Sequence, residues 1–183
     1  MDMTGISENE FWTWAYSNFL SNAQRGVLAE YLVAKALGCT GTPRIEWDAY
    51  DLDAGEGLKV EVKSAAYLQA WNQKVLSPIR FDIAHKKAWH AKTNTYDVEA
   101  TRSADVYVFC VFAAQDRDGA DPLDTRQWFF LTCTTELLNE KFPAQKSISL
   151  ASLEALPLQR LSFHDLDAQV RALRVNNSLQ QAP

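Results

Sequence analysis

Cysteine and histidine are scarce, with three of each in 183 residues. Cys39, Cys110 and Cys133 lie far apart and show no Cys-x-x-Cys spacing. An odd number of thiols in apolar surroundings reads as reduced core residues in an intracellular, cytoplasmic protein. Cys110, inside "VYVFCVF", reads as a packed strand residue and not as a nucleophile. His85 and His90 are five apart, which does not suit a two-histidine zinc helix. The serines and histidines form no nucleophile-elbow pattern. No apolar run is long enough to span a bilayer. The opening "MDMTGISENEFW" has no basic stretch before an apolar one, so no secretory signal is expected. Excess positive charge is missing too. The net charge of -5 argues against a general nucleic-acid coat, although a local patch can differ from the mean. "DRDGADPLD" has the composition of a calcium loop, but it lacks a glycine at the sixth position and a closing glutamate in register. It reads as a solvated turn.

What remains is a chain that is 47% hydrophobic and 22% charged, long enough for one domain with a sizeable core. A single domain is expected over residues 1–175, with 176–183 a disordered tail. Residues 7–20 read as a helix capped by Ser7, with Glu10 completing a capping box. A second helix follows in "SNAQRGVLAEYLVAKALG", capped by Asn22 and stopped by Gly38. Residues 72–104 read as irregular structure with short strands. "ADVYVFCVFAA" reads as a strand buried on both faces. "RQWFFLTC" reads as another strand, and "TTELLNEKF" as a short helix capped by Thr134. "SLEAL" starts a helical turn, and "SFHDLDAQVRALRV" places Phe163, Leu166, Val170 and Leu173 on one helical stripe. Helices on both sides of a mixed central sheet fit this order.

"YDLDAGEGLKVEVKSA", residues 50–65, carries the chemistry. A Gly55-Glu56-Gly57 turn supplies the positive φ that a three-residue hairpin needs. Asp53 then pairs with Lys59 and Asp51 with Glu61. Alternation places Asp51, Asp53, Lys59, Glu61 and Lys63 on one face, and Tyr50, Leu52, Leu58, Val60 and Val62 on the other. Asp53 opposite Lys59 is an ordinary cross-strand ion pair. Asp51 opposite Glu61 is not, because like charges facing each other destabilise a sheet by up to about 1 kcal/mol. A cation is needed between them. Lys63 is one candidate, and a divalent ion such as Mg²⁺, which takes oxygen ligands, is the better one. Glu30 is a third acid. It falls on a stripe with Val27, Ala34 and Leu37, in a helix that reads as buried on most sides. A buried carboxylate needs a partner or a raised pKa. The alternative places Glu30 at an edge, paired with Arg25 or Lys35.

Asp51, followed by "EVK" at Glu61 to Lys63 and preceded by a helix bearing Glu30, resembles the PD-(D/E)XK nuclease superfamily. The resemblance covers roughly residues 22–114. It implies an α/β restriction-endonuclease-like core, a mixed central sheet flanked by helices in the order αβββαβ, with C-terminal additions. It implies a Mg²⁺- or Mn²⁺-dependent nuclease in which Asp51, Glu61 and the Val62 carbonyl hold the ion. Lys63 would assist the attacking water, and Glu30 would support the ion directly or through water. The motif's proline is absent, with Tyr50 in its place, and no QxxxY follows Gln69 and Gln73. Asp48 and Asp53 compete with Asp51 as the first acid, and the register favours Asp51.

Between Asn72 and Ala104, six basic residues meet three acidic ones, a local +3 that leaves -8 on the rest of the chain. Lys74, Arg80, His85, Lys86, Lys87, Trp89 and Lys92 suit phosphate contact and base stacking, and the partner expected is nucleic acid, DNA above RNA. An ordinary charged surface segment is the alternative. No membrane partner is expected. A homodimer or a recruiting protein partner is compatible with the acidic net charge. The alternative function is a catalytically silent domain that binds nucleic acid or a protein and keeps the nuclease fold.

Overall fold

The computed structural model describes residues 5–46, 48–90 and 93–180, with the backbone alone at His90 and 175–180. The fold is mixed α/β. A four-stranded sheet forms the centre, from β1 (Leu52–Asp53), β2 (Lys59–Ala66), β6 (Val106–Phe112) and β7 (Trp128–Thr134), in that spatial order. β1 pairs antiparallel with β2, β2 parallel with β6, and β6 antiparallel with β7. The helices are α1 (Glu8–Tyr16), α2 (Asn22–Ala36), α3 (Thr135–Lys141), α4 (Leu150–Glu154) and α5 (Leu166–Gln180). β3 (Arg80–Asp82) pairs with β8 (Ser147–Ser149), and β4 (Trp89–His90) with β5 (Thr95–Tyr96).

Alternation along β2 and β6 divides the core between the two faces of the sheet. Val60, Val62, Val106, Val108, Cys110 and Phe112 turn to α2 and α5, where Leu28, Leu32, Val33, Leu166 and Val170 cover them. Tyr107, Phe109 and Val111 turn the other way, against Phe81, Ile83, Leu138, Ile148 and Leu153. All seven residues of β6 are buried, as a strand covered on both faces requires. On α5 the stripe is as the spacing predicts: Leu166 and Val170 are fully buried, with Phe163 and Leu173 packed beside them. Thr134 caps α3 by accepting the Leu137 N–H at 3.2 Å.

Several expectations are corrected. Ser21, not Asn22, precedes α2, and Asn22 Oδ1 instead accepts a 2.8 Å bond from Arg25. α1 ends at Tyr16, four residues short of the expected end, and buries none of its residues. α2 is not buried on most sides. Its buried apolar residues are Leu28, Ala29, Leu32, Val33 and Ala34, while Val27 and Tyr31 are exposed, so Glu30 sits at the edge of the apolar face. The crossover from β2 to β6 holds no helix among its described residues, only short strands, where the resemblance implies a second core helix. α5 runs to Gln180, with no glycine or proline to interrupt it. Residues 181–183 and Lys92 lie outside the described residues. No helix among the described residues is long and apolar enough to cross a membrane.

The crossover is pinned by one buried cation. Arg102 is 7% exposed. Its guanidinium donates to the Ile83 carbonyl at 2.8 Å, Asn139 Oδ1 at 2.6 Å, the Phe142 carbonyl at 2.9 Å and the Gln145 carbonyl at 3.3 Å. It therefore ties the crossover to α3 and the loop that follows. Arg102→Leu would leave several buried acceptors unpaired, at about 1–3 kcal/mol each. The expected result is a loss of about 3 kcal/mol or more in urea unfolding. An unchanged midpoint would show that the network contributes nothing.

Candidate active site

The β1–β2 hairpin sets the site. Its turn is Gly55-Glu56-Gly57, and all three residues have positive φ, 89°, 52° and 76°. Leu58 N–H returns to the Gly55 carbonyl at 3.0 Å. The non-glycine in this left-handed run is held from outside: Arg174 donates to the Glu56 carbonyl at 2.8 Å and ion-pairs with its carboxylate. The register is Leu52 to Val60 and Asp53 to Lys59, as the turn length dictates. Asp53 completes the turn by accepting the Gly55 N–H at 2.9 Å.

The ladder stops at Leu52. Asp51 N–H donates to the Val60 carbonyl at 3.2 Å, and the Asp51 carboxylate then takes over from the main chain, accepting the Val62 N–H at 2.7 Å. In a strand, a residue's N–H and C=O point to the same edge. The Val62 carbonyl therefore also faces the β1 edge, beside Asp51. Alternation breaks here too. Tyr50, assigned from sequence to the apolar face, packs instead on the Glu61 side of the sheet, with Lys59 Nζ 5.6 Å from its ring centre.

Glu61 and Lys63 stand on the open face of β2. Their side chains are ion-paired and only 16% and 17% exposed. Burial pushes the Glu61 carboxyl above its ordinary value, Lys63 opposes that shift, and the nearby Asp51 charge adds to it. Tyr107, opposite Glu61 in β6, has its phenol raised by burial and further by the Glu61 charge. Asp51, Glu61 and Lys63 line one cavity of about 320 Å³, together with Lys86, Lys87 and Trp89 from the crossover. Among the described residues, no three His, Cys, Asp or Glu side chains gather closely enough to hold a metal by themselves.

Glu30 finds neither Arg25 nor Lys35. Arg44 grips it with two donors, one at 3.0 Å, and leaves the glutamate side chain 14% exposed. Burial raises the Glu30 pKa, Arg44 pulls against that, and the Asp51 charge raises it further. Arg25 is buried without a carboxylate and bonds instead to the Leu20 carbonyl at 2.9 Å.

The expected nucleic-acid contacts divide. Lys86, Lys87 and Trp89 reach the cavity, and Trp89 stacks at a tilt on Tyr96, 4.8 Å between centres. Lys74 lines a separate, shallower recess with Arg117. Arg80 bonds to Ser147 across the β3–β8 pair, and His85 is exposed outside the cavity. Two charged residues near the site, Asp82 and Arg44, escape sequence reading as participants. Asp82 lines the cavity and pairs with Lys86 at 2.8 Å. Burial pushes the Asp82 carboxyl up, but the bonds from Lys86 and the Ala84 N–H outweigh that and hold it below its ordinary value. Asp48, the competing first acid of the sequence reading, lines the cavity beside Asp51. Arg44 sits fourteen residues from Glu30, a separation with no periodic signal.

No curated protein matches the chain. A sequence model of the bacteriophage T4 endonuclease IV family matches residues 12–152, a span that includes α2, the hairpin, the crossover and the whole central sheet. With more than half of the chain inside that match, and the cavity of Asp51, Glu61 and Lys63 within it, the protein belongs to the bacteriophage T4 endonuclease IV family and is a nuclease acting on nucleic acid.

Proposed function

We propose that the protein is a Mg²⁺-dependent endonuclease of the PD-(D/E)XK type, hydrolysing phosphodiester bonds in DNA at Asp51, Glu61 and Lys63. The observation that carries this is the convergence of two carboxylates and an ammonium on one half-buried cavity floor. The donor set fits a hard cation. Asp51 Oδ1 and Glu61 Oε2 accept no hydrogen bond among the described residues, and the Val62 carbonyl faces the same edge. Three protein oxygens leave room for waters and a substrate phosphate, which suits Mg²⁺ better than a closed cage would. A bound ion would supply Lewis acidity toward a phosphate oxygen and toward the attacking water.

The chain's own residues divide the remaining work. Asp51 and Glu61 would hold their oxygens in place, Asp51 through the Val62 N–H and Glu61 through burial against Tyr107. Lys63 would orient water and offset negative charge developing on the phosphate. Glu30, fixed by Arg44, would act through its charge on Asp51 or through a water. Lys86, Lys87 and Trp89 would receive the flanking strand.

Lys63→Ala and Glu61→Ala are expected to lower the cleavage of plasmid and single-stranded substrates in Mg²⁺ or Mn²⁺ by about 10²-fold or more, with substrate binding kept. Cleavage that persists in EDTA or in Glu61→Ala contradicts the mechanism. Binding without cleavage by the wild type identifies a silent site.

Protons compete with the ion at Glu61. Its folded pKa is raised, so the native state binds more protons than the unfolded chain. Without metal, the Glu61 contribution to stability is therefore expected to fall as pH rises from about 4.3 through the raised value. Mg²⁺ reverses the trend. Its thermal shift is expected to be larger at pH about 8 than at about 5, because the raised Glu61 carboxyl holds its proton more at the lower pH. In Glu61→Gln both pH dependences should flatten. Equal Mg²⁺ shifts at the two pH values in the wild type would place the ion elsewhere.

A further inference from the structure

We propose that the cavity on the α2 side of Asp51 is a subsite for the nucleobase adjoining the scissile phosphate. The proposal rests on the reading of Asp51, Glu61 and Lys63 as the phosphate-cleaving site. Two cavities meet at Asp48 and Asp51, which line both. The one that holds Glu61 and Lys63 is about 320 Å³ and carries Lys86, Lys87 and Arg102 as well. Its neighbour is about 670 Å³, within the size range of small-molecule sites, and no lysine lines it. A chain threaded across Asp51 thus meets ammonium groups on one side and an aromatic, largely apolar hollow on the other.

The exposed apolar side chains support the same division. Val27, Tyr31 and Ile45 are 43%, 50% and 59% exposed, and all three line the larger cavity. Apolar surface gathered around a concavity and left open to water is what a planar ligand covers at a gain. A tyrosine ring offers the face on which any base can stack. Arg44 adds the polar component. Glu30 engages two of its donors and fixes the guanidinium in the cavity wall. A guanidinium held in that way can stack on a base plane or donate its remaining N–H groups to a base edge. Phosphate is disfavoured in this hollow, because its cation is already neutralised and Asp48, Asp51 and Asp53 surround the rest.

The experiment walks one abasic position along a short oligonucleotide substrate. At one position beside the cut, base removal is expected to raise KM about tenfold or more with kcat little changed, the size of one lost stack. Val27→Trp fills the cavity from an exposed helix position. It should raise KM on the intact substrate by a similar factor and remove the sensitivity to the abasic position. Tyr31→Ala, also exposed, is the second variant and should raise KM without filling the space. Equilibrium binding of the same oligonucleotides to Lys63→Ala in Mg²⁺ reads the subsite without cleavage and should show the same losses. Efficient cleavage with KM indifferent to every abasic position and to both variants overturns the subsite while leaving the nuclease mechanism standing. Base-dependent binding in Lys63→Ala beside undiminished cleavage by that variant overturns the mechanism instead.

Discussion

The hydrogen bond from the Val62 N–H to the Asp51 carboxylate is the constraint on which the site depends. It forms where the β1–β2 ladder gives out, and it replaces a main-chain acceptor with a side-chain one. That substitution locks the acid to β2 and does not leave it on a mobile strand end. Strand geometry in β2 turns the Val62 carbonyl toward the same edge. The two-residue period directs Glu61 to the face where Lys63 and Tyr107 stand. A hairpin with a longer regular ladder would give the Val62 N–H a main-chain acceptor and leave the Asp51 carboxylate free to turn to solvent.

The rest of the fold explains why such a cluster survives burial. The helical face of the sheet is fully occupied by α2 and α5, so the polar residues of β2 have only the opposite face available. There the crossover contributes short strands and a loop where a packed helix would close the surface, and a cavity remains beside Glu61. Arg102 keeps that irregular segment in place by bonding to three carbonyls and a side-chain amide. Each buried acid has a cation beside it, Lys63 for Glu61 and Arg44 for Glu30, yet burial still raises both carboxyls. Sites whose charge balance is incomplete in this way are those that gain from binding a cation.

The hairpin was legible in the sequence because its determinants are local. Two glycines around Glu56 fix the turn, the turn fixes the register, and the two-residue period then assigns Glu61 and Lys63 to a face. β6 and the α5 stripe were legible for the same reason, since burial on both faces or on one stripe leaves a pattern within a dozen residues. Tyr50 was misassigned because alternation holds only while the ladder lasts, and nothing in the sequence marks its end at Leu52. The Glu30 partner was misjudged because Arg44 approaches from a loop, where no helical spacing predicts contact. Val27 was placed inward by a three-four spacing that fits more than one stripe on a helix rich in apolar residues. The β3–β8 sheet depends on pairing between segments more than sixty residues apart, such as Phe81 with Ile148, which no local pattern encodes.

The central claim is that a divalent cation joins Asp51 to Glu61. The most direct measurement is anomalous diffraction from crystals soaked in Mn²⁺. The account predicts a peak within about 2.2 Å of a carboxylate oxygen from each residue, with water completing the shell. A structure in which Mn²⁺ binds elsewhere, or in which Lys63 remains the sole cation between the two acids, would contradict it.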